Sequence, residues 1–208
     1  MQTIDQWLAI AVIGCLAVMS PGPNLVITLR NSLTHRQAGI YTAVGLAVGD
    51  LVHIAYCLAG IGWIIAQSIL LFNLIKWIGA AYLIYIGIQS LRAKPSSQKL
   101  NSLSSSVILN RRQAFQIGFL TCLLNPKVTL FFLALFTQII EPHTPYITQV
   151  GYGLTVAMIE FGWFALVAIG ASQSVIRRYL ETSLHWTERL MGAALILLGL
   201  RLAIARHD

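Results

Sequence analysis

Six stretches of this 208-residue chain are apolar over about the length that a helix needs to cross a lipid bilayer. Charged residues make up only 10% of the chain, whereas a soluble domain carries about 25%. A soluble domain of this size has too little interior to hide so much apolar surface, whereas a bilayer covers it. We therefore predict an all-α integral membrane protein with six transmembrane helices. The segments lie at roughly 5–30, 40–66, 69–91, 113–139, 147–171 and 185–205.

One long polar segment, residues 92–112, divides the chain. It contains Pro95, six serines and five Lys or Arg residues, which is the composition of a mobile loop. We predict a first three-helix repeat at 1–91, this basic loop at 92–112, and a second three-helix repeat at 113–208.

The basic residues predict how the chain is oriented in the membrane. The formal net charge is +7, but the Lys and Arg residues lie between apolar segments, which indicates membrane orientation and not nucleic-acid binding. The loops after segments one, three and five carry Lys or Arg, and the loops after segments two and four carry none. By the positive-inside rule the three basic loops are cytoplasmic, and both termini face the outer side.

The two halves of the chain resemble each other in three places. Residues 76–81 (KWIGAA) correspond to residues 189–194 (RLMGAA), and Asp50 in segment two corresponds to Glu160 in segment five. The motif at residues 20–24 in segment one corresponds to the motif at 125–127 in segment four. Because each half has an odd number of spans, the second half must be inverted in the membrane. Inverted repeats with broken first helices are typical of transporters.

Proline motifs interrupt segments one and four. Proline removes a backbone donor, and in hydrocarbon the freed groups must find partners inside the protein or in a water-filled cavity. Ser20 and Asn125 each precede a proline, which predicts an N-cap and the start of a half-helix. Two such starts near mid-membrane attract an anion, and we expect them to hold a carboxylate. The alternative is a pair of kinks that only shape helix packing. The predicted substrate-binding residues are Ser20, Pro21, Gly22, Pro23, Asn24, Asn125, Pro126 and Lys127.

Asp50 and Glu160 are the carboxylates that lie deep in the apolar segments. A charge there is costly, so such residues usually face a cavity or a partner. Either residue is a candidate proton site or a partner for a substrate ammonium; the structural alternative is a neutral acid or an ion pair, for example with Lys127. His53, one helical turn after Asp50, is a candidate proton relay. No residues have metal-site spacing, and the sequence predicts no cofactor.

Gly45 and Gly49 form a Gly-x-x-x-Gly motif directly before Asp50. Small residues at this spacing let two helix backbones approach closely in a membrane. We therefore predict a tight helix contact at this point of segment two.

The motifs together resemble one family of bacterial inner-membrane proteins, the lysine-exporter/homoserine–threonine-exporter (LysE/RhtB) family. The resemblance implies a six-span exporter of amino acids or their derivatives, driven by the proton gradient and assembled as a homodimer. It also makes the outer side of the membrane the periplasm. It is carried by residues 20–24 (SPGPN), Gly45 to Asp50, Lys76 with residues 79–83 (GAAYL) and 85–87 (YIG), Gly118-Phe119, and residues 124–127 (LNPK).

The leading hypothesis is therefore a secondary active transporter, not an enzyme, in which Asp50 or Glu160 takes an inward proton as substrate leaves. The small number of intramembrane charges favours a neutral amino acid. One alternative is a membrane thiol-electron carrier that uses Cys15 and Cys122, which precede the two breaks. Another is a metal-ion exporter on the same scaffold.

Overall fold

The computed structural model describes residues 4–20, 22–67, 69–92, 109–139 and 144–170, with 189, 192–193, 196–197 and 199–200. These ranges are helical, with no strand among the elements described. Most of the predicted loop at 92–112 and most of the sixth segment lie outside the described residues. The helices are α1 (Ile4–Met19), α2 (Pro23–Thr34), α3 (Arg36–Gln67), α4 (Ile69–Arg92), α5 (Arg111–Leu123), α6 (Pro126–Ile139) and α7 (Tyr146–Gly170).

By length and composition, the described helices include two clear membrane spans. These are Arg36–Gly60 within α3 and Tyr146–Gly170, which is α7. Two bent pairs reach the same standard when each is taken as one span: α1 with α2, bent by 59°, and α5 with α6, bent by 56°. The breaks in segments one and four are thus confirmed, whereas the six-span arrangement remains a prediction.

The connection between the first and second segments is shorter than predicted. Only His35 separates α2 from α3, because α3 begins at Arg36 and not near residue 40. His35 Nδ1 accepts a hydrogen bond from the backbone N–H of Gln37 at 3.2 Å, which satisfies one of the free donors at the start of α3. The polar residues 31–39 therefore form the end of one helix and the start of the next.

Helix α3 is the centre of the described fold and packs against α5, α7 and α2. The predicted tight contact at Gly45 and Gly49 is confirmed on α5. A Cβ added to Gly45 would lie 2.2 Å from the Phe115 carbonyl oxygen, and one added to Gly49 would lie 2.7 Å from Cys122 Cβ. Neither position therefore tolerates a side chain, and the two backbones meet directly.

Two apolar clusters flank a polar layer. The first joins α1, α3, α6 and α7 around Phe132, Phe136 and Tyr152; the second joins α1, α2, α3, α5 and α7 around Leu25, Leu46 and Phe164. Three helix contacts have a counterpart in the other half: α1–α7 corresponds to α5–α3, α2–α7 to α6–α3, and α1–α6 to α5–α2. The extensive contact between α2 and α3 has no comparable counterpart between α6 and α7. The buried polar residues of the two helix breaks lie where these clusters meet.

Candidate functional site

In the break between α5 and α6, the side chain and the carbonyl of Asn125 accept hydrogen bonds from the first turn of α6. Pro126 is the first residue of α6, a position where its missing N–H costs nothing. Asn125 Oδ1 accepts a hydrogen bond from the Lys127 backbone N–H at 3.0 Å, and the Asn125 carbonyl accepts from Val128 N at 3.1 Å. Asn125 therefore caps α6, as the Asn-Pro sequence predicts.

The break between α1 and α2 is built differently. Helix α2 begins at Pro23, and its N-cap is Gly22 in an extended conformation, with no side chain capping the helix. The prediction that Ser20 caps this helix is wrong, because the second proline and not the first starts the helix. The first, Pro21, lies outside the described residues.

Lys127 reaches from the second break to the first. Its Nζ lies 2.6 Å from Ser20 Oγ and 3.5 Å from the Ser20 carbonyl oxygen. A Cβ added to Gly22 would lie 3.7 Å from this nitrogen, so the ammonium group is beside the uncapped start of α2. The sequence motif thus brings a full positive charge to the helix end that already favours anions.

Two buried asparagines join the breaks to Glu160. Asn125 Nδ2 donates to Asn24 Oδ1 at 3.0 Å, and Asn24 Nδ2 donates to Glu160 Oε1 at 2.8 Å. All three side chains are buried. A continuous chain of hydrogen bonds therefore runs from the start of α6, through the first turn of α2, to the middle of α7.

The two deep carboxyl groups interact electrostatically. Asp50 is 0% exposed, and Glu160 is the second acid that acts on it. Asp50 Oδ1 accepts a hydrogen bond from Cys122 Sγ at 3.3 Å, while Asp50 Oδ2 has no donor among the described residues. Asp50 is therefore a buried acid with one carboxyl oxygen that no described donor satisfies.

His53 is buried next to this pair but is held by other groups. Its Nε2 lies 3.0 Å from the Cys122 carbonyl oxygen and must donate to it, because a carbonyl only accepts. Its Nδ1 hydrogen-bonds the Tyr56 hydroxyl. His53 and Asp50 thus both contact Cys122, the residue near the end of α5, by its carbonyl and its thiol respectively.

A cavity of about 40 Å³ opens between the two breaks, enough for a small number of water molecules. Its polar lining consists of the side chains of Ser20, Asn24, Asn125, Lys127 and Glu160. The other lining residues are Gly22 and a set of apolar residues that come from both apolar clusters. The apolar set is Ala17, Val18, Val128, Phe131, Phe132, Val156 and Phe164.

Most of the predicted site residues thus come together. Pro23 and Pro126 are exposed and begin their helices, whereas Asp50 and His53 are buried and do not line the cavity. Sequence reasoning missed the phenylalanine wall and the role of Cys122 as a partner of Asp50. The sequence did contain a signal for this wall. Phe131 follows Lys127 by four residues and Phe164 follows Glu160 by four residues, so each phenylalanine shares a helix face with a predicted site residue.

The structure also describes residues on which the two alternative hypotheses depend. Cys15 is exposed on α1 and Cys122 is buried on α5, and all three cysteines are free thiols. Within the described ranges, no three His, Cys, Asp or Glu side chains are grouped so that they could hold a metal ion.

Comparison with known proteins agrees with the resemblance. The model of the LysE type translocator family matches residues 15–206. An uncharacterised membrane protein of Vibrio cholerae is 33% identical, over 98% of both chains. A homoserine/homoserine lactone efflux protein of Salmonella typhimurium is 30% identical, over 99% of both chains, and an uncharacterised membrane protein of Escherichia coli is 27% identical, over 90% of this chain and 84% of its own. No solved structure matches the chain. Because the family model covers almost all of the sequence, the chain belongs to the LysE type translocator family.

Proposed function

We propose that this translocator exports neutral amino acids or small derivatives across the bacterial inner membrane, driven by protons moving inward. The observation that carries the proposal is that the amine of Lys127 and the carboxyl group of Glu160 line the same cavity. A zwitterion needs both charges, because its carboxylate and its ammonium are close together. The relatives named as homoserine/homoserine lactone efflux proteins support the direction and the class of cargo.

The substrate carboxylate binds at the first break. Lys127 Nζ lies there with Ser20, beside the start of α2 that no side chain caps. The backbone N–H groups of such a start and the helix dipole favour an anion. Pro23 and Pro126 contribute by starting α2 and α6 at this depth. In this account the carboxylate takes the contacts of Lys127 that Ser20 now holds.

The substrate ammonium binds at Glu160, which lines the cavity and accepts a hydrogen bond from Asn24. Asp50 is buried and interacts electrostatically with Glu160, and in our proposal the two acids share protons. A proton that reaches the pair weakens the attraction of Glu160 for the ammonium and releases the substrate. Proton and substrate therefore compete for one site, which is what exchange in opposite directions requires. His53 and Cys122 hold Asp50 and its surroundings in place.

Alternating access comes from one half of the protein rocking against the other. The similar bends of 59° and 56° and the exchange of helix contacts between the halves support two inverted three-helix repeats. In this arrangement both termini are periplasmic and the three basic loops are cytoplasmic. Assembly as a homodimer remains a prediction from the family resemblance.

Transport by purified protein in liposomes tests the proposal. Liposomes loaded with a panel of labelled neutral amino acids are diluted into buffer of equal or lower pH. We expect the pH gradient to accelerate efflux of at least one amino acid, and a protonophore to remove the acceleration. Glu160→Gln should abolish the acceleration, while the control Gln149→Glu, on the same helix and outside the cavity, should retain it. Efflux that ignores the gradient would refute proton driving, and no efflux of any amino acid would refute the function.

A further inference from the structure

We propose that the apolar part of the cavity is a side-chain chamber that selects amino acids with aliphatic, thioether or aromatic side chains. This inference rests on the proposed function, since it assumes that a zwitterion binds to the polar side chains that line the cavity. It goes further by excluding hydroxylated and basic side chains as preferred cargo. Homoserine, for which two relatives are named, is therefore expected to be a poor substrate of this chain.

The polar side chains that line the cavity already have hydrogen-bond partners within the protein. Ser20 contacts Lys127, and Asn125, Asn24 and Glu160 form one hydrogen-bonded chain. Among the described lining residues, no other side chain carries a donor or an acceptor. A hydroxyl or an ammonium on the substrate side chain would therefore meet no partner in this part of the wall.

The chamber lies one helical turn from the two charges. On α6, Phe131 follows Lys127 by four residues, and on α7, Val156 and Phe164 stand four residues before and after Glu160. Residues four apart in a helix are neighbours, with about 5–6 Å between their Cβ atoms. All of these residues line the same cavity. A substrate held by its carboxylate and ammonium therefore presents its side chain to the apolar wall.

A free carboxylate is part of the same requirement. A lactone or an ester has no anion for Lys127 and for the start of α2, so the proposed site disfavours homoserine lactone as well. The opening is also small in this conformation, about 40 Å³, so the chamber must widen around the substrate and its walls then contact the side chain closely.

Pairs of amino acids with the same shape distinguish the effect of side-chain polarity from the effect of side-chain size. Valine and threonine have nearly the same shape, as do norvaline and homoserine. An apolar pocket prefers the apolar member of such a pair by about 100-fold when the hydroxyl finds no partner. The assay measures how well each unlabelled amino acid inhibits the exchange of labelled norvaline in proteoliposomes. We expect the concentration for half-maximal inhibition to be at least about tenfold lower for valine than for threonine, and for norvaline than for homoserine.

Val156→Thr adds a hydroxyl to the chamber with little change of shape, and we expect it to reduce both preferences. The control Val167→Thr makes the same change at another buried position of α7, one that does not line the cavity, and it should leave the preferences unchanged. Equal or better inhibition by threonine and homoserine in the wild-type protein would overturn this inference alone. If no amino acid in the panel exchanges, the proposed function itself fails and this inference fails with it.

Discussion

The two helix breaks bend the chain by similar angles, 59° and 56°, but the helices that start at them are capped differently. At the second break Asn125 caps α6, and its side chain also contacts the first break. At the first break Gly22 leaves α2 without a side-chain cap. The second break is thus satisfied by the protein itself, whereas the first presents a helix start to the cavity. We infer that the second break has a structural role and that the first break binds the substrate carboxylate.

The largest expected effect comes from removing the charge that the second break supplies to the first. Lys127→Met should weaken substrate exchange by about 100-fold, because one partner of a largely desolvated charge pair is lost. The control Arg111→Gln removes an exposed cation at the start of α5, away from the cavity, and should leave exchange unchanged. Exchange kinetics in proteoliposomes measure both. Near-normal exchange by Lys127→Met would mean that the breaks share no carboxylate site.

The next effect concerns the link between the breaks. Asn24→Ala removes the donor to Glu160 and should weaken exchange by about tenfold, since hydrogen bonds to charged groups are the stronger ones. Asn31→Ala is a matched control on the same helix, because Asn31 is also buried and donates to Thr42 at 2.9 Å. Both variants should lose similar thermal stability. Equal loss of exchange in the two would reduce Asn24 to a structural residue.

A smaller effect comes from capping the open helix start. Gly22→Ser supplies a hydroxyl that competes with the substrate for the free N–H groups of α2, and we expect about fivefold weaker apparent affinity. The position has room for a side chain, because the nearest atom to an added Cβ lies at 3.7 Å. Gly22→Ala adds the same Cβ without the hydroxyl and should bind more tightly than Gly22→Ser. If the serine variant binds as well as the wild type, the helix start is not part of the site.

The smallest effect is expected at Cys122. Cys122→Ser keeps a donor for Asp50 and should change exchange by less than about twofold, as serine donates at least as well as a thiol. The double change Cys15→Ser with Cys122→Ser should behave in the same way. Cys57→Ser provides the control, because Cys57 is buried in the first apolar cluster. Loss of activity in the double variant, with full activity in Cys57→Ser, would instead favour thiol chemistry.

The sequence predicted what is local. Each break starts a helix at a proline, and the sequence identified Asn125 as a cap because an Asn-Pro pair determines its own first turn. It misplaced the cap of α2, because in Ser-Pro-Gly-Pro two prolines compete as the first residue. The contact between Gly45 and α5 was predictable as a close approach, but the identity of the partner helix was not.

Contacts between distant parts of the chain could not be read from a local pattern. Asn24 and Glu160 are 136 positions apart, and Cys122 and Asp50 are 72 apart. Such pairs depend on how the helices pack, so the sequence indicated two candidate acids without indicating that they interact. For the same reason the phenylalanines of α6 and α7 resembled ordinary membrane-helix residues, although the structure shows that they line one cavity.

The most direct test of the carboxylate site compares norvaline with norvalinamide, which has the same side chain and ammonium but no carboxylate. Both are measured as inhibitors of labelled-norvaline exchange in proteoliposomes of the wild-type protein. We expect the amide to inhibit at least about 100-fold more weakly, because Lys127 and the start of α2 lose their anion. Equal inhibition by the amide and the acid would contradict it.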